Sequence, residues 1–343
     1  MVIKHSRRSF LQTAGTAGVA AAVGQGGTAP KQSNPDNGVR HFHCVQIDVF
    51  TSRRLEGNPL AVFTDARGLS DSEMQDLARE TNLQETTFIL PRDPAVEREH
   101  GVKVRIFIPE EEIPFGGHPT LGTAMVLRNG SHTKRYSGPA NSGPKEILLD
   151  LKLGKIPVTF HAEASGSVFG EMHQVEPVFG QIHDRATVAD LIGIKPTDIS
   201  DGWPVQTVST GLPFAIVPIK RLSVLQSLQP DLKRIRGYFE KESVLTDFYY
   251  ITYDTGDTEV GLRSRAIYPN GEDPATGSAA GCTASWMVRY GIARPDETIH
   301  MLQGVEIKRP SHIFVRASKE GDTVSNVRVG GHAVQIMEGT VSL

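Results

Sequence analysis

Two glycine-rich segments carry side chains suited to proton transfer. In RIFIPEEEIPFGGHPTLGTA, residues 105–124, His118 follows Gly117. In RAIYPNGEDPATGSAAGCTA, residues 265–284, Ser278 follows Gly277, with Asp273 and Thr276 just upstream. A helix start leaves backbone N–H groups unpaired and carries partial positive charge, so it favours carboxylate or enolate oxygens. Glycine at such a start lets a ligand approach the backbone closely. A histidine there is held neutral, because the dipole opposes a second positive charge, and neutral imidazole shuttles protons near pH 7. The same field favours a carboxylate just before the helix, as at Asp273. Asp273 and Ser278 also fit the plainer role of helix caps.

The two segments stand 160 residues apart without a gap. Arg105/Arg265, Pro109/Pro269, Glu112/Glu272, Pro114/Pro274, Gly117/Gly277, Thr123/Thr283 and Ala124/Ala284 are identical. This predicts two equivalent halves, each carrying strand, glycine-rich turn and helix. Pro119 suits the first turn of the first helix and Gly130 its end. The second helix is expected around 275–290, with small side chains that suit close wrapping by strands. Helix starts facing each other across a pseudo-twofold would make one pocket for carboxylate or enolate oxygens.

The elements that position these turns read mostly as strands. Residues 41–52 alternate, Glu56-Gly57-Asn58-Pro59 marks a turn, and 60–64 restart a strand. Ser70 with Glu73 forms a capping box, and Met74, Leu77 and Ala78 have helical spacing, predicting a helix over 71–81. Strands are expected at 86–90, 102–108 and 146–153, with a polar loop over 131–146. More follow at 158–162, 169–174, 204–210, 214–219, 248–253 and 259–266, with a short helix at 186–192. So few helices exclude a regular βαβ parallel sheet. Across 343 residues, 36 Lys+Arg face 39 Asp+Glu for a net charge of -3, leaving no basic surplus for nucleic acid. No run of 18 apolar residues exists to span a bilayer. Two cysteines exclude a disulfide scaffold or a four-Cys zinc site.

The segments DVFT (48–51), GNPLAV (57–62), NLQETTFILP (82–91), RIFIP (105–109), PFGGHPTLGTA (114–124), STGLP (209–213) and EDPATGSAAG (272–281) resemble the PhzF-like family of phenazine biosynthesis. Gln303-Gly304, Arg309-Pro310-Ser311 and Val329-Gly330-Gly331 agree, so the resemblance runs from about 43 to 341. It implies an α+β, diaminopimelate-epimerase-like fold: two pseudo-symmetric β-rolls or barrels, each wrapped around a central helix, with the active site between them. The N-terminal roll is read as 41–153, with the last strand of the chain free to pack back on it, and the C-terminal roll as 154–343. The resemblance implies a cofactor-independent isomerase or epimerase-type enzyme that moves a proton on a small carboxylate-bearing metabolite. The family's namesake isomerises a cyclic dihydro-hydroxyanthranilate in this way. Glu85, which alone would read as a surface glutamate at a strand edge, is implied as general acid/base. His118, Asp273 and Ser278 are implied as its catalytic companions. Asn58, Gly117, Thr276 and Gly277 are implied as substrate contacts. No metal is called for, and a homodimer is the assembly to which the resemblance points. Relatives in the wider fold use two opposed cysteines where this chain has Gly116 and Thr276, which argues against a two-thiol racemase. Cys44 and Cys282 read as buried small hydrophobes, with a disulfide between them left open.

Residues 1–40 read as leader and tether. Ser6-Arg7-Arg8-Ser9-Phe10-Leu11-Gln12 and the Ala/Gly-rich stretch after it have the pattern of a twin-arginine export signal. This predicts a periplasmic protein, cytoplasmic if the signal is not used, and free of the membrane after cleavage. Losing Lys4, Arg7 and Arg8 takes the net charge from -3 to -6. The expected partner is a small-molecule substrate, not nucleic acid. Rival chemistries find less support. A Ser278–His118 hydrolase lacks the G-x-S-x-G elbow. His41 and His43 share a strand face without a third ligand. The glycine-rich turns lack the P-loop lysine. The alternative function is a non-catalytic small-ligand-binding protein on the same fold, because fold does not fix function.

Overall fold

The computed structural model describes residues 38–130, 143–164, 166–241 and 246–343. The twin-arginine motif and most of the 131–146 loop lie outside the described residues. Arg40–Leu343 forms one unit; of Met1–Val39 only Gly38 and Val39 are described.

The first part of this unit runs β1 (His41–Val49), β2 (Asn58–Phe63), α1 (Asp71–Thr81), β3 (Glu85–Leu90), α2 (Pro94–His100), β4 (Val102–Phe107), β5 (Glu112–Ile113), α3 (Gly117–Asn129), β6 (Glu146–Leu151), β7 (Gly154–Ala162), β8 (Val168–His173) and β9 (Val178–His183). The second runs α4 (Arg185–Ile192), β10 (Val205–Ser209), β11 (Pro213–Pro218), α5 (Leu222–Gln226), α6 (Leu232–Lys241), β12 (Asp247–Thr252), β13 (Leu262–Tyr268), β14 (Gly271–Asp273), α7 (Gly277–Arg289), β15 (Ile299–Gln303), β16 (Ser311–Glu320), β17 (Thr323–Gly331) and β18 (Ala333–Ser342).

The two parts repeat one pairing scheme. β1 pairs antiparallel with β2, β2 parallel with β3, β3 antiparallel with β4, and β4 antiparallel with β5 and parallel with β6. β10 to β15 follow the same order and directions. Antiparallel β6–β7–β8 then matches β15–β16–β17. β8 pairs with β17 and joins the two parts. β9 pairs with β10, and β18 pairs with β1, His41 opposite Ser342. The β6–β7 hairpin spans the 153/154 boundary read from sequence.

Each central helix is buried all round. Every residue of α3 from Gly117 to Arg128, and of α7 from Gly277 to Val288, is buried. Such a helix needs small or apolar side chains on every face. α3 packs on β1, β2 and β8; α7 packs on β16, β17, β10 and β11. Trp286 of α7 is among the largest fully buried side chains. Outside, α1 covers the first roll through Met74, Leu77 and Ala78. α4, α5 and α6 cover the second through a separate apolar cluster. No helix of the described residues is long and apolar enough to cross a membrane.

Local signals account for several elements. Ser70 and Glu73 cap α1 reciprocally, and the helix spans 71–81 as the spacing predicts. Gly130 ends α3 in the left-handed region, at φ 65°. The duplicated Arg and Glu prove to be one device used twice. Arg105 Nε and Nη2 donate to the two Glu112 oxygens, each at 2.9 Å. Arg265 does the same to Glu272 at 3.0 and 2.7 Å. Each pair ties a hairpin that feeds a central helix.

Some elements differ from the sequence reading. The strand expected over 146–153 is the outgoing arm of a hairpin, turning at Lys152-Leu153. α2 buries no residue, so no apolar periodicity marks it. α6 buries only Ile235 and Phe239, too short a stripe to stand out. Cys44 and Cys282 are free thiols, and burial pushes both up to about 11.

Candidate active site

The starts of α3 and α7 meet in backbone contact. A Cβ placed on Gly117 would lie 2.5 Å from Gly277 Cα, Gly277 C and Ser278 N. One on Gly277 would lie 3.1 Å from Gly117 Cα. Only glycine admits this approach. Gly116 and Thr276 hold the positions before the two helices, and neither start receives a side-chain cap. The cap reading of Asp273 and Ser278 therefore does not hold: no side chain caps the first backbone N–H groups of either helix.

Asp273 is instead the hub of a buried network. Its Oδ1 accepts from Asn58 Nδ2 at 2.7 Å and its Oδ2 from Thr276 Oγ1 at 2.6 Å. Gln303 locks the same loop. Its amide donates to Asp273 O and Thr276 Oγ1, and its Oε1 accepts from Thr276 N and Tyr249 Oη. Asn58 is held from behind. Arg309 donates to the carbonyls of Glu56 and Gly57 and pairs with Asp48 at 2.8 Å. Gly57 takes φ 70°, with Val49 O only 2.4 Å from where a Cβ would sit.

His118 and Glu85 complete the arrangement. Asn58 Nδ2 faces Asp273 Oδ1, Ala275 O at 3.0 Å and His118 Nδ1 at 3.1 Å. A carbonyl only accepts, so this atom is the amide nitrogen; its two N–H groups face three acceptors, and His118 Nδ1 can only accept from it, never donate to it. Burial lowers the His118 pKa to about 3, so the ring is neutral. Its single proton then sits on Nε2, 3.3 Å from Glu85 Oε2. The pair is close but not aligned as a hydrogen bond. Glu85 Oε2, His118 Nε2 and Asn58 Oδ1 are all buried without a hydrogen-bond partner. Burial, then the charge of Asp273, raises the Glu85 pKa well above the ordinary carboxylate range. Burial also raises Asp273, opposed by hydrogen bonds from Thr276, Ala275 and Asn58.

These groups surround a cavity of about 530 Å³. Glu85, Gly117 and His118 line it from the first half; Asp273, Thr276, Gly277 and Ser278 line it from the second. Asn58, read from sequence as a substrate contact, is fully buried behind this wall and reaches His118 and Asp273 instead. Tyr268, Asp247 and Arg236 also line the cavity and were not singled out from sequence. Burial raises the Tyr268 hydroxyl well above its usual pKa, helped by Asp273, Asp247 and Glu85. Burial holds Glu85 and Asp273 toward the uncharged form, which lessens the negative charge of a pocket rich in carboxyl groups.

Two strand-wrapped helices meeting end to end define the diaminopimelate-epimerase-like fold, and the curated relatives mark this chain as an isomerase by class. The profile of the phenazine biosynthesis-like protein family matches residues 47–339, and the chain belongs to that family. It is 35% identical to the trans-2,3-dihydro-3-hydroxyanthranilate isomerase of Pseudomonas chlororaphis, over 88% of this chain and 99% of that protein. A PhzF-family phenazine biosynthesis protein of Bacillus anthracis superposes with TM-score 0.76 at 25% identity, over 88% of this chain and 99% of that one. A predicted epimerase from Pseudomonas aeruginosa gives TM-score 0.71 at 32% identity, with the same coverage.

Proposed function

We propose that this isomerase moves a proton between carbons of a small, ring-sized carboxylate metabolite, with Glu85 as general acid/base and no group beyond the chain's own. One observation carries this reading: Glu85 Oε2 is buried and unpartnered at the wall of a pocket where two helix starts meet. Ionised Glu85 takes a proton from carbon, and the electron pair moves into the conjugated system toward the substrate carboxylate. The N–H groups of Gly117 and Ser278, residues that line the cavity, would hold the charge that develops there. Glu85 then returns its proton to a second carbon. His118 keeps its Nε2 proton toward Glu85, and Asp273 fixes Asn58 and hence the ring tautomer. Acid–base help of this kind supplies ~10²–10⁴-fold, and losing one oxyanion donor costs ~10²–10³-fold.

The first substrate to test is trans-2,3-dihydro-3-hydroxyanthranilate, the compound in the relative's name. In D₂O the enzyme should incorporate deuterium at carbon. Glu85→Gln should abolish incorporation while leaving the fold intact. Full exchange in that variant would sink the role of Glu85. A bound ligand whose carbon-bound hydrogens never exchange with the unaltered protein points to the binding-protein alternative. We also propose that the leader exports the folded enzyme to the periplasm. An unprocessed, cytoplasmic full-length chain refutes that.

A further inference from the structure

Strand register extends the internal repeat beyond the two glycine-rich turns and gives Glu85 a counterpart. Phe88 pairs with Arg105, and Tyr250 pairs with the equivalent Arg265. Three residues back along each strand stand Glu85 and Asp247. The neighbouring parallel strands agree, with Leu60 opposite Glu85 and Phe214 opposite Asp247. These strands also match in sequence: GNPLAV (57–62) and GLPFAI (211–216) share Gly, Pro and Ala. Asp247 is therefore the pseudo-twofold mate of Glu85, and both line the same cavity from opposite halves.

The two carboxyl groups have different surroundings. Glu85 shares the cavity wall with Asp273; its own burial first, and then the Asp273 charge, favour its protonated form. Asp247 is exposed beside the cavity, and the Arg236 charge on α6 favours its ionised form. A side recess of about 100 Å³ opens next to it, walled by Leu232, Ile235, Phe248 and Ile267, with Arg236 and Asp247 also lining it. That volume suits a substituent of a few heavy atoms. A carboxylate that shares a recess with a cation is suited to accept hydrogen bonds rather than to wait as an acid.

We propose that Asp247 and the recess beside it form a second substrate subsite, which takes a hydrogen-bond-donating substituent, an amine or hydroxyl, on the part of the ring remote from Glu85. This rests on reading the cavity as the substrate pocket. Asp247 is the residue that reads the donor. Arg236 is a positioning residue that acts through Asp247.

Binding of benzoate and the three aminobenzoates, measured by calorimetry, tests this without turnover. The unaltered protein should bind at least one aminobenzoate about tenfold more tightly than benzoate, as a charge-assisted hydrogen bond would give. Asp247→Asn should erase that preference without weakening benzoate binding. Arg236→Ala should weaken the preference and shift its pH dependence. Glu85→Gln should keep it. A thermal melt checks folding, with Asp247→Ser as a second variant. The subsite is overturned if Asp247→Asn keeps the preference, or if the unaltered protein binds all four probes alike or none. Failure of proton exchange alone would refute the reaction and leave the amine preference standing.

Discussion

Gly117→Ala should damage this protein more than Gly277→Ala, although the two glycines are symmetry mates. At Gly117 the added Cβ would lie 2.5 Å from three backbone atoms of Gly277 and Ser278. Carbon atoms rest about 3.5–4.0 Å apart, so the two helix starts must separate by roughly 1 Å. No flexible side chain is there to yield. At Gly277 the nearest atoms are Phe50 Cζ at 3.0 Å, Gly117 Cα at 3.1 Å and Met172 Cε at 3.2 Å. Two of these are side-chain ends that can give by a few tenths of an ångström. Overpacking costs ~1–3 kcal/mol, and a 1 Å misplacement at a reacting centre costs ~10²-fold in rate. Alanine's helix propensity works in the opposite direction by at most ~1 kcal/mol, so a net loss at Gly117 cannot come from propensity. Urea denaturation and deuterium exchange read the two effects. Gly117→Ala should lose ~1–3 kcal/mol and about a hundredfold in exchange rate, with Gly277→Ala within about tenfold of the parent. A fully active, fully stable Gly117→Ala, or two indistinguishable variants, would refute the backbone-contact argument.

Other outcomes follow from the same geometry. Arg265→Ala leaves Glu272 buried without its partner and should cost ~3–5 kcal/mol in urea unfolding. Arg105→Ala should cost less, because the Arg105–Glu112 side chains are 18% and 20% exposed against 9% and 7% for Arg265–Glu272. His118 has a folded pKa of about 3, below its unfolded value near 6.5. The unfolded chain binds that proton first, so stability should fall as pH drops below 6.5, by at most about 5 kcal/mol near pH 3. His118→Gln should flatten that limb in denaturation at pH 4 against pH 7. Glu85 has the opposite sign: its raised pKa means stability is lost as pH rises above about 4.5 and through the folded value. Glu85→Gln should therefore be more stable than the parent at pH 8 and gain nothing at pH 4, as paired melts would show.

The parts of the fold legible from sequence were those with constant spacing. Arg105/Arg265 and Glu112/Glu272 kept the 160-residue offset because each pair ties the same hairpin at the same distance from its helix. Ser70 and Glu73 were legible because capping is local. Asp247 was not, because insertions change the offset. Gly57 and Gly211 stand 154 apart, and Glu85 and Asp247 stand 162 apart, so a fixed-offset search passes over both. Relaxing the offset at the Gly-x-Pro-x-Ala pattern would have found the first. Tyr268 and Arg236 reach the cavity only through tertiary packing. Asn58 read as a ligand contact because nothing local shows that it sits behind the wall; that placement comes from Asp273 and Ala275 of the other half.

Duplication supplies a symmetric frame, and the chemistry lies in where the halves differ. On the proposed mechanism two helix starts would make a symmetric holder for anionic charge, but a proton carrier must act at one carbon in preference to its neighbour. The mates of Asn58, Asp273 and Tyr268 are the apolar Leu212, Ile113 and Ile108. Neither half alone can set the state of His118. Its tautomer depends on Asn58 of its own half, and Asn58 is oriented by Asp273 Oδ1 and Ala275 O of the other. His118 Nε2 faces Glu85 at 3.3 Å, next to the seam where Gly117 meets Gly277. On the proposed mechanism, pooling one proton-handling unit across the seam couples the helix-start contact that would hold charge to the tautomer that would orient the base, so opening the seam should disable both together.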